Sequence, residues 1–351
     1  MEIHSRVNAI EIPGFIEIWL YLVRGQKTAI IDTGPNYPLA EPVAKLNIGS
    51  TDPDPGQKAT TMSAALNYSS ENSTTPVVKY ATPVLHRLGM TLTDIDFILN
   101  SHVHFDHTAG NAAVKRVSNA QILIHAAEAI YFEKPELLFG RELAPIIELI
   151  LGKEHLDEEK RRYMNEETGP GPYVAVDRHL EDNDIIELGG GLDLKVIHLP
   201  GHTPGSVGFY WEEEGILFAG DSLEGVCGFG GGLPILDDLA AYESSLARVI
   251  ELAPKVLVHA HPFQSLTILN KNVMRDVEIK QYLEECGEFA QRLREAAETV
   301  APDLSKRPFF ELYDEVIGML PKEACLKTTS EMPRQFFSAA TLLNCIKKMK
   351  L

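Results

Sequence analysis

Cysteine is scarce in this chain: Cys227, Cys286, Cys325 and Cys345 stand far apart, with no Cys-x-x-Cys pair among them. That excludes a disulfide framework or a thiolate cage and fits reduced thiols, so the sequence predicts a cytoplasmic protein. Positive charge is also in short supply, with 32 Lys and Arg against 50 Asp and Glu and a formal net charge of −18. A chain of that sign offers no footprint for nucleic-acid phosphates or anionic lipid, and it repels polyanionic substrates. The expected partner is a small molecule, not nucleic acid or a membrane. Long uncharged apolar runs are missing too. The opening MEIHSRVNAIEIPGFIEIWLYLV carries charges throughout, and reads as neither a signal peptide nor a membrane span.

What is present is 351 residues, 44% of them hydrophobic, which can bury one large core or two smaller ones. Short runs rich in Ile, Val, Leu and aromatics recur at 16–23, 28–33, 96–101, 121–125, 192–199, 206–211, 215–222 and 255–260, each ending near Gly, Pro, Asp or Asn. These spacings predict strands, with helices between some of them, notably after residue 107 and over 240–252. Two segments interrupt the rhythm. Residues 40–80 are poor in large apolar side chains and rich in Ser, Thr, Asn and Pro, which predicts a long loop of the kind that serves as a lid. Residues 126–168 read as a helical insertion, with Leu137, Leu138, Leu143, Ile146, Ile147, Leu149 and Ile150 on its apolar face. Its Tyr131, Phe132, Leu137, Leu138 and Phe139 are candidates for an apolar cover over the functional site.

Strand signals stop near residue 263. Val277, Leu283, Cys286, Ala290, Leu293, Ala297 and Val300 then recur at helical steps, and further helices are expected over 308–319 and 331–349. The implied organisation is a mixed α and β domain over 1–262, with insertions at about 40–80 and 126–168, and a helical C-terminal extension over 263–351. That extension is expected to pack on the core or to join two copies as a homodimer.

The stretch NSHVHFDHTAGN, residues 100–111, sets three histidines and one aspartate inside six positions. A chance His-x-His-x-Asp-His in such a chain has odds on the order of one in a thousand. Alternation at a strand's end would point His102 and His104 the same way, while Asp106 and His107 turn back from the following loop. Four ligands cannot close the shells of two metal ions, so other segments must contribute. LPGHTPGS (199–206) offers His202, FAGDS (218–222) offers Asp221, and VLVHAHPF (256–263) offers His259 and His261. Each lies where an apolar run ends.

In that order, IIDTG (30–34), SHVHFDHTAGN (101–111), LPGHTPGS (199–206), FAGD (218–221) and HAHP (259–262) resemble the motifs of metallo-β-lactamase-fold hydrolases. The resemblance covers roughly residues 10–262 and points to the glyoxalase II and lactonase-like branch. It implies an α/β, four-layer αββα sandwich. It also implies metal ligands His102, His104 and His202 at one site, Asp106, His107 and His261 at a second, and Asp221 bridging the two. Family members usually carry Gly-His at the last motif, and Ala260 before His261 is the closest small substitute, which favours His261 over His259. Asp32 is implied as a brace for a ligand or for the loop.

Imidazole and carboxylate ligands suit zinc, with iron or manganese as alternatives. The implied activity is hydrolysis of an ester, thioester or lactone of a small or medium acyl substrate by a metal-activated hydroxide, with Asp106 orienting it and carrying its proton. Two departures narrow the branch. Phe229 and Gly230 stand where a cation would grip glutathione, and Glu224 stands where lactonases carry a tyrosine. The competing readings are a mononuclear iron enzyme resembling persulfide dioxygenases, and a metal-containing binding or signalling protein.

Overall fold

The computed structural model describes residues 2–13, 17–36, 75–164, 174–228, 231–324, 326 and 336–349. One sheet takes its strands in chain order: β1 (Glu2–His4), β2 (Val7–Ile12), β3 (Ile18–Arg24), β4 (Thr28–Ile31), β5 (Phe97–Leu99), β6 (Gln121–His125) and β7 (Arg178–Leu180). The second contains β8 (Ile185–Gly189), β9 (Leu192–His198), β10 (Val207–Trp211), β11 (Ile216–Gly220), β12 (Val256–Phe263) and β13 (Lys271–Arg275), in the order β13-β12-β11-β10-β9-β8.

Side-chain alternation along these strands builds the layers. In β3 and β4, Tyr21, Val23, Ala29 and Ile31 face the second sheet and meet Phe209, Phe218 and Val258. Their neighbours Leu20, Leu22 and Ile30 point the other way, against α1 (Pro76–Arg87) and, past the four-residue α2 (Phe105–Thr108), α3 (Asn111–Ser118). Both faces are therefore apolar, which is why TAII and IWLYLV read as continuous hydrophobic runs. The outer face of the second sheet, with Leu217, Ala219 and Leu257, is covered by α8 (Leu239–Leu252), α9 (Val277–Val300), α10 (Phe309–Met319) and α11 (Phe336–Met349). The result is the four-layer αββα sandwich expected, and the buried stripe of α9 from Ile279 to Val300 is turned onto its own sheet. The insertion forms α4 (Ala126–Glu133), α5 (Pro135–Glu142), α6 (Ala144–Leu151) and α7 (Leu156–Tyr163).

Three local expectations differ from the structure. β13 follows the point where strand signals stop; in KNVMR only Met274 is buried, as suits a polar edge strand that keeps further pairing at bay. Helix α1 begins inside the stretch read as a loop, started by Pro76 at its first position; residues 40–74 of that stretch lie outside the described residues. β5 ends at Leu99, so His102 and His104 sit in the loop beyond it, not on a strand. Residues 165–168 and 331–335, read as helical, also lie outside the described residues. Among those described, no helix is long and apolar enough to cross a membrane, and no disulfide forms.

Strand direction places the site. β4, β5 and β6 run parallel, β11 is parallel to β12, and β9 shares their direction because both β9 and β11 are antiparallel to β10. The C-terminal ends of β4, β5, β9 and β11 thus carry the motif loops to one edge, where crevices of α/β sheets open.

Candidate metal centre

Beyond β4 the backbone of Asp32 takes a left-handed turn, with φ at 59°. The following amides of Thr33 and Gly34 donate to the carbonyl of His107 at 2.7 and 3.2 Å. Asp32 itself accepts from the amide of Ser101 and from its hydroxyl, both at 2.8 Å, and lies 2.9 Å from His107 Nδ1. One carboxylate thereby ties the DTG turn to the histidine loop. Close approach demands glycine before Asp221: at Gly220 (φ 54°) an added Cβ would stand 2.5 Å from the Ser101 side chain.

Three ring nitrogens converge at the first group. His102 Nε2 and His104 Nδ1 are 3.0 Å apart, and His202 Nε2 stands 3.2 Å from the former and 3.0 Å from the latter. The outward nitrogens fix the tautomers. His102 Nδ1 lies 3.1 Å from the hydroxyl of Ser101, whose own proton goes to Asp32, so the imidazole donates. His202 Nδ1 donates to the carbonyl of Ile235 at 2.7 Å, and His104 Nε2 to Glu142 Oε1 at 3.3 Å. In the neutral rings, with protons outside, the three inward nitrogens bring only lone pairs to one point. They cannot bond one another; a cation at the centre satisfies all three.

The second group is assembled the same way. His261 Nε2 lies 3.2 Å from His107 Nε2 and 3.4 Å from Asp106 Oδ2. Its outer Nδ1 donates to the carbonyl of Glu17 at 2.6 Å, as that of His107 does to Asp32. Asp221 stands between the groups, its Oδ2 at 3.3 Å from His107, 3.4 Å from His261 and 3.9 Å from His202. All seven residues singled out in the sequence meet here. His259 does not: it is buried among Phe263 and Tyr282, each ring centroid 5.3 Å away.

Charge is balanced inside the cluster. Burial pulls His107 down, but Asp221, Asp106 and Asp32 outweigh it and hold the ring well above the usual histidine range. Burial also opposes His202, which Glu224 and Asp221 nevertheless raise to about 9. Asp106 shows the converse: burial would raise it, and His107 and His261 bring it to about 2. His102, buried beside His107, His104 and His202, is driven well below the ordinary value. Carboxylates around the imidazoles make them more basic and better donors.

Two observations test whether the set fits divalent ions. A tetrahedral zinc with nitrogen ligands at about 2.0–2.1 Å sets those ligands about 3.3 Å apart, close to the triangle of His102, His104 and His202. Asp221 Oδ1 is buried with no hydrogen-bond partner, a state that costs free energy unless a cation compensates. The donors fit, in the groups His102, His104, His202 and Asp106, His107, His261, with Asp221 near both.

Sequence reading missed two supports. Glu142, at the end of α5, bonds His104 from an insertion whose sequence gives no sign of it. Glu224 was noted for the phenol it replaces, yet its Oε2 accepts from the amide of Ile235 at 2.8 Å and lies 3.3 Å from His202 Nδ1. The segment beyond Asp221 is further tied by the hydroxyls of four helices. Tyr242 of α8 and Tyr282 of α9 donate to the carbonyls of Glu224 and Leu223, Tyr313 of α10 accepts from the amide of Leu233, and Thr341 of α11 accepts from that of Leu236. Phe229 and Gly230 lie outside the described residues.

A family model described as the metallo-beta-lactamase superfamily matches residues 13–261. The chain is 28% identical over 226 residues to a hydroxyacylglutathione hydrolase of Pseudomonas paraeruginosa, covering 63% of this chain and 69% of that protein. To an acyl-coenzyme A thioesterase of Gallus gallus it is 30% identical over 170 residues, 45% of this chain and 52% of that one. The chain spans about half the length of several curated relatives it matches. Its fold superimposes on that of a metallo-beta-lactamase family protein from Thermus thermophilus with a TM-score of 0.64 at 20% identity, over 99% of this chain and 94% of the other.

Proposed function

This chain belongs to the metallo-beta-lactamase superfamily, and on that premise we propose that it is a metal-dependent hydrolase of acyl thioesters and related acyl esters. The reading rests on one observation: Asp221 lies between two groups of donors at the sheet edge, 3.3 Å from His107 and 3.9 Å from His202, while Asp106 of the second group keeps 14% of its side chain exposed. The names of the relatives, a hydroxyacylglutathione hydrolase and an acyl-coenzyme A thioesterase, support the thioester class. His102, His104 and His202 would hold one divalent ion, and Asp106, His107 and His261 a second, with Asp221 common to both; zinc is the proposed metal. Two such ions supply Lewis acidity towards a carbonyl oxygen and lower the pKa of water to about 7.

The chain's own residues do the remaining work. Asp32 and Ser101 hold His107 and His102 in the tautomers that leave inward lone pairs. Asp106, kept ionised by His107 and His261, takes the proton of the attacking water and delivers it to the leaving thiolate or alkoxide. The insertion contributes Leu138 and the partly buried Tyr131, Phe132 and Tyr163, which pack with Val103 of the histidine loop and are the proposed apolar wall for the acyl chain. A net charge of −18 weighs against phosphodiesters.

The test is a panel on metal-loaded protein: acyl thioesters of increasing chain length, p-nitrophenyl esters, homoserine lactones and bis-p-nitrophenyl phosphate. Thioesters or esters are expected to turn over fastest. Faster cleavage of the phosphodiester than of every acyl substrate would sink the proposal.

A further inference from the structure

Among the ring donors, His104 stands apart. The outer nitrogens of His102, His107, His202 and His261 are all held within the sandwich, by Ser101, Asp32, the carbonyl of Ile235 and that of Glu17. His104 alone of the triple-histidine group turns Nδ1 inward, so its Nε2 points outward, and among the described residues its partner there is Glu142 at 3.3 Å. That carboxylate belongs to the helical insertion. Its position is set by the insertion's other helices: Arg141 reaches the same Glu142 oxygen at 2.5 Å and lies over the Tyr131 ring of α4 at 4.5 Å, while Tyr163 of α7 meets Phe139 at 5.6 Å. Both His104 and Glu142 are 13% exposed, so water competes little for the bond.

We propose that Glu142 is the positioning residue of the triple-histidine site, fixing the tautomer of His104 so that docking of the helical insertion becomes a condition of metal retention there. An acceptor at Nε2 keeps the proton on that atom and leaves Nδ1 free to donate its lone pair. Without it the ring rotates or changes tautomer, and one of three donors is lost. The insertion then does more than cover the site: lifting α5 weakens it. This inference rests on the metal-binding part of the proposed function and not on the substrate.

Three variants of the full chain separate the alternatives. Glu142→Gln keeps a side-chain oxygen that accepts from Nε2; Glu142→Met keeps the volume and removes the acceptor; a double variant, Arg141→Met with Glu142→Met, also removes the cation that the single change strands. Cobalt(II) affinity at each site is read by chelator competition and by the absorption of the bound ion, with no substrate present, and the thermal unfolding of the metal-free protein is measured alongside. For Glu142→Met and the double variant, roughly 10- to 100-fold weaker binding at one of two sites is expected, with the other site unchanged and Glu142→Gln close to the parent. Equal affinity in the parent and Glu142→Met overturns the proposal. So does recovery in the double variant, which would assign the loss to the stranded guanidinium, and so does equal weakening of both sites by the Gln and Met variants together with a lower unfolding temperature. Because no turnover is measured, a wrong substrate assignment leaves these outcomes untouched.

Discussion

His259 and His261 lie two positions apart on one strand and have opposite surroundings. His261 directs Nε2 at His107, Asp106 and Asp221, whereas His259 is enclosed by Phe263 and Tyr282 and lowered by burial to about 4, so it is neutral and serves as a core side chain. Replacing His261 with Ala is expected to remove one metal ion per chain and most activity. Replacing His259 with Ala should cost about 2 kcal/mol of unfolding free energy through the cavity it leaves, with metal content retained. Elemental analysis and denaturant titration of the two variants read this directly, and the reverse pattern would move the ligand to His259. Asp32 is the other residue whose role depends on its surroundings: a small carboxylate tolerates the left-handed turn at φ 59°, and from there reaches both Ser101 and His107.

At the scale of elements, the C-terminal helices hold the segment that seats His202. Thr341 of α11 accepts from the amide of Leu236 at 2.9 Å and donates to the carbonyl of Pro234 at 2.8 Å, bracketing Ile235, whose carbonyl receives the His202 proton. Thr341→Val keeps the shape and strands two buried backbone groups, at a cost of about 2 kcal/mol. Unfolding free energy should fall by that amount, and one metal ion should dissociate faster; an unchanged rate would mean that α11 merely packs. The helices themselves were legible, because α9 buries a stripe at three- and four-residue steps. Their hold on His202 was not, since a Tyr or Thr on a buried face reads as packing until the backbone it bonds is known. Strands followed a similar division. β3, β6 and β9 announce themselves by dense apolar runs, while β1 with three residues and β13 with one buried side chain carry too little pattern to stand out.

For the molecule as a whole, seven donors at the edge of one sandwich predict two divalent ions per chain. Elemental analysis of protein purified without added metal, then resupplied, should return a sum near two. A value near one with iron dominant would favour the oxidoreductase reading set out from the sequence. Chelation should lower the unfolding temperature as well as abolish turnover, because an ion held only by the native state adds its binding free energy to folding; calorimetry with and without chelator measures the shift.

What the sequence determined by itself was the donor chemistry: imidazoles and carboxylates that are candidate metal ligands, on loops that close apolar strands. Spacing suffices to gather only the four donors within residues 102–107, because residues a few positions apart are neighbours in any backbone they adopt; His202, Asp221 and His261 join them through packing. The resemblance already favoured His261 over His259, and tertiary structure supplied the physical reason by placing only His261 beside the other donors. Regular alternation places residues two apart on the same face, but the pairing of β12 is irregular against both neighbours, between Phe218 and Gly220 on one side and between Val258 and Phe263 on the other. A break in register is where successive side chains change face. It arises from pairing with β11 and β13, and those partners, like Glu142 beside His104, are brought together only when distant stretches of the chain are packed.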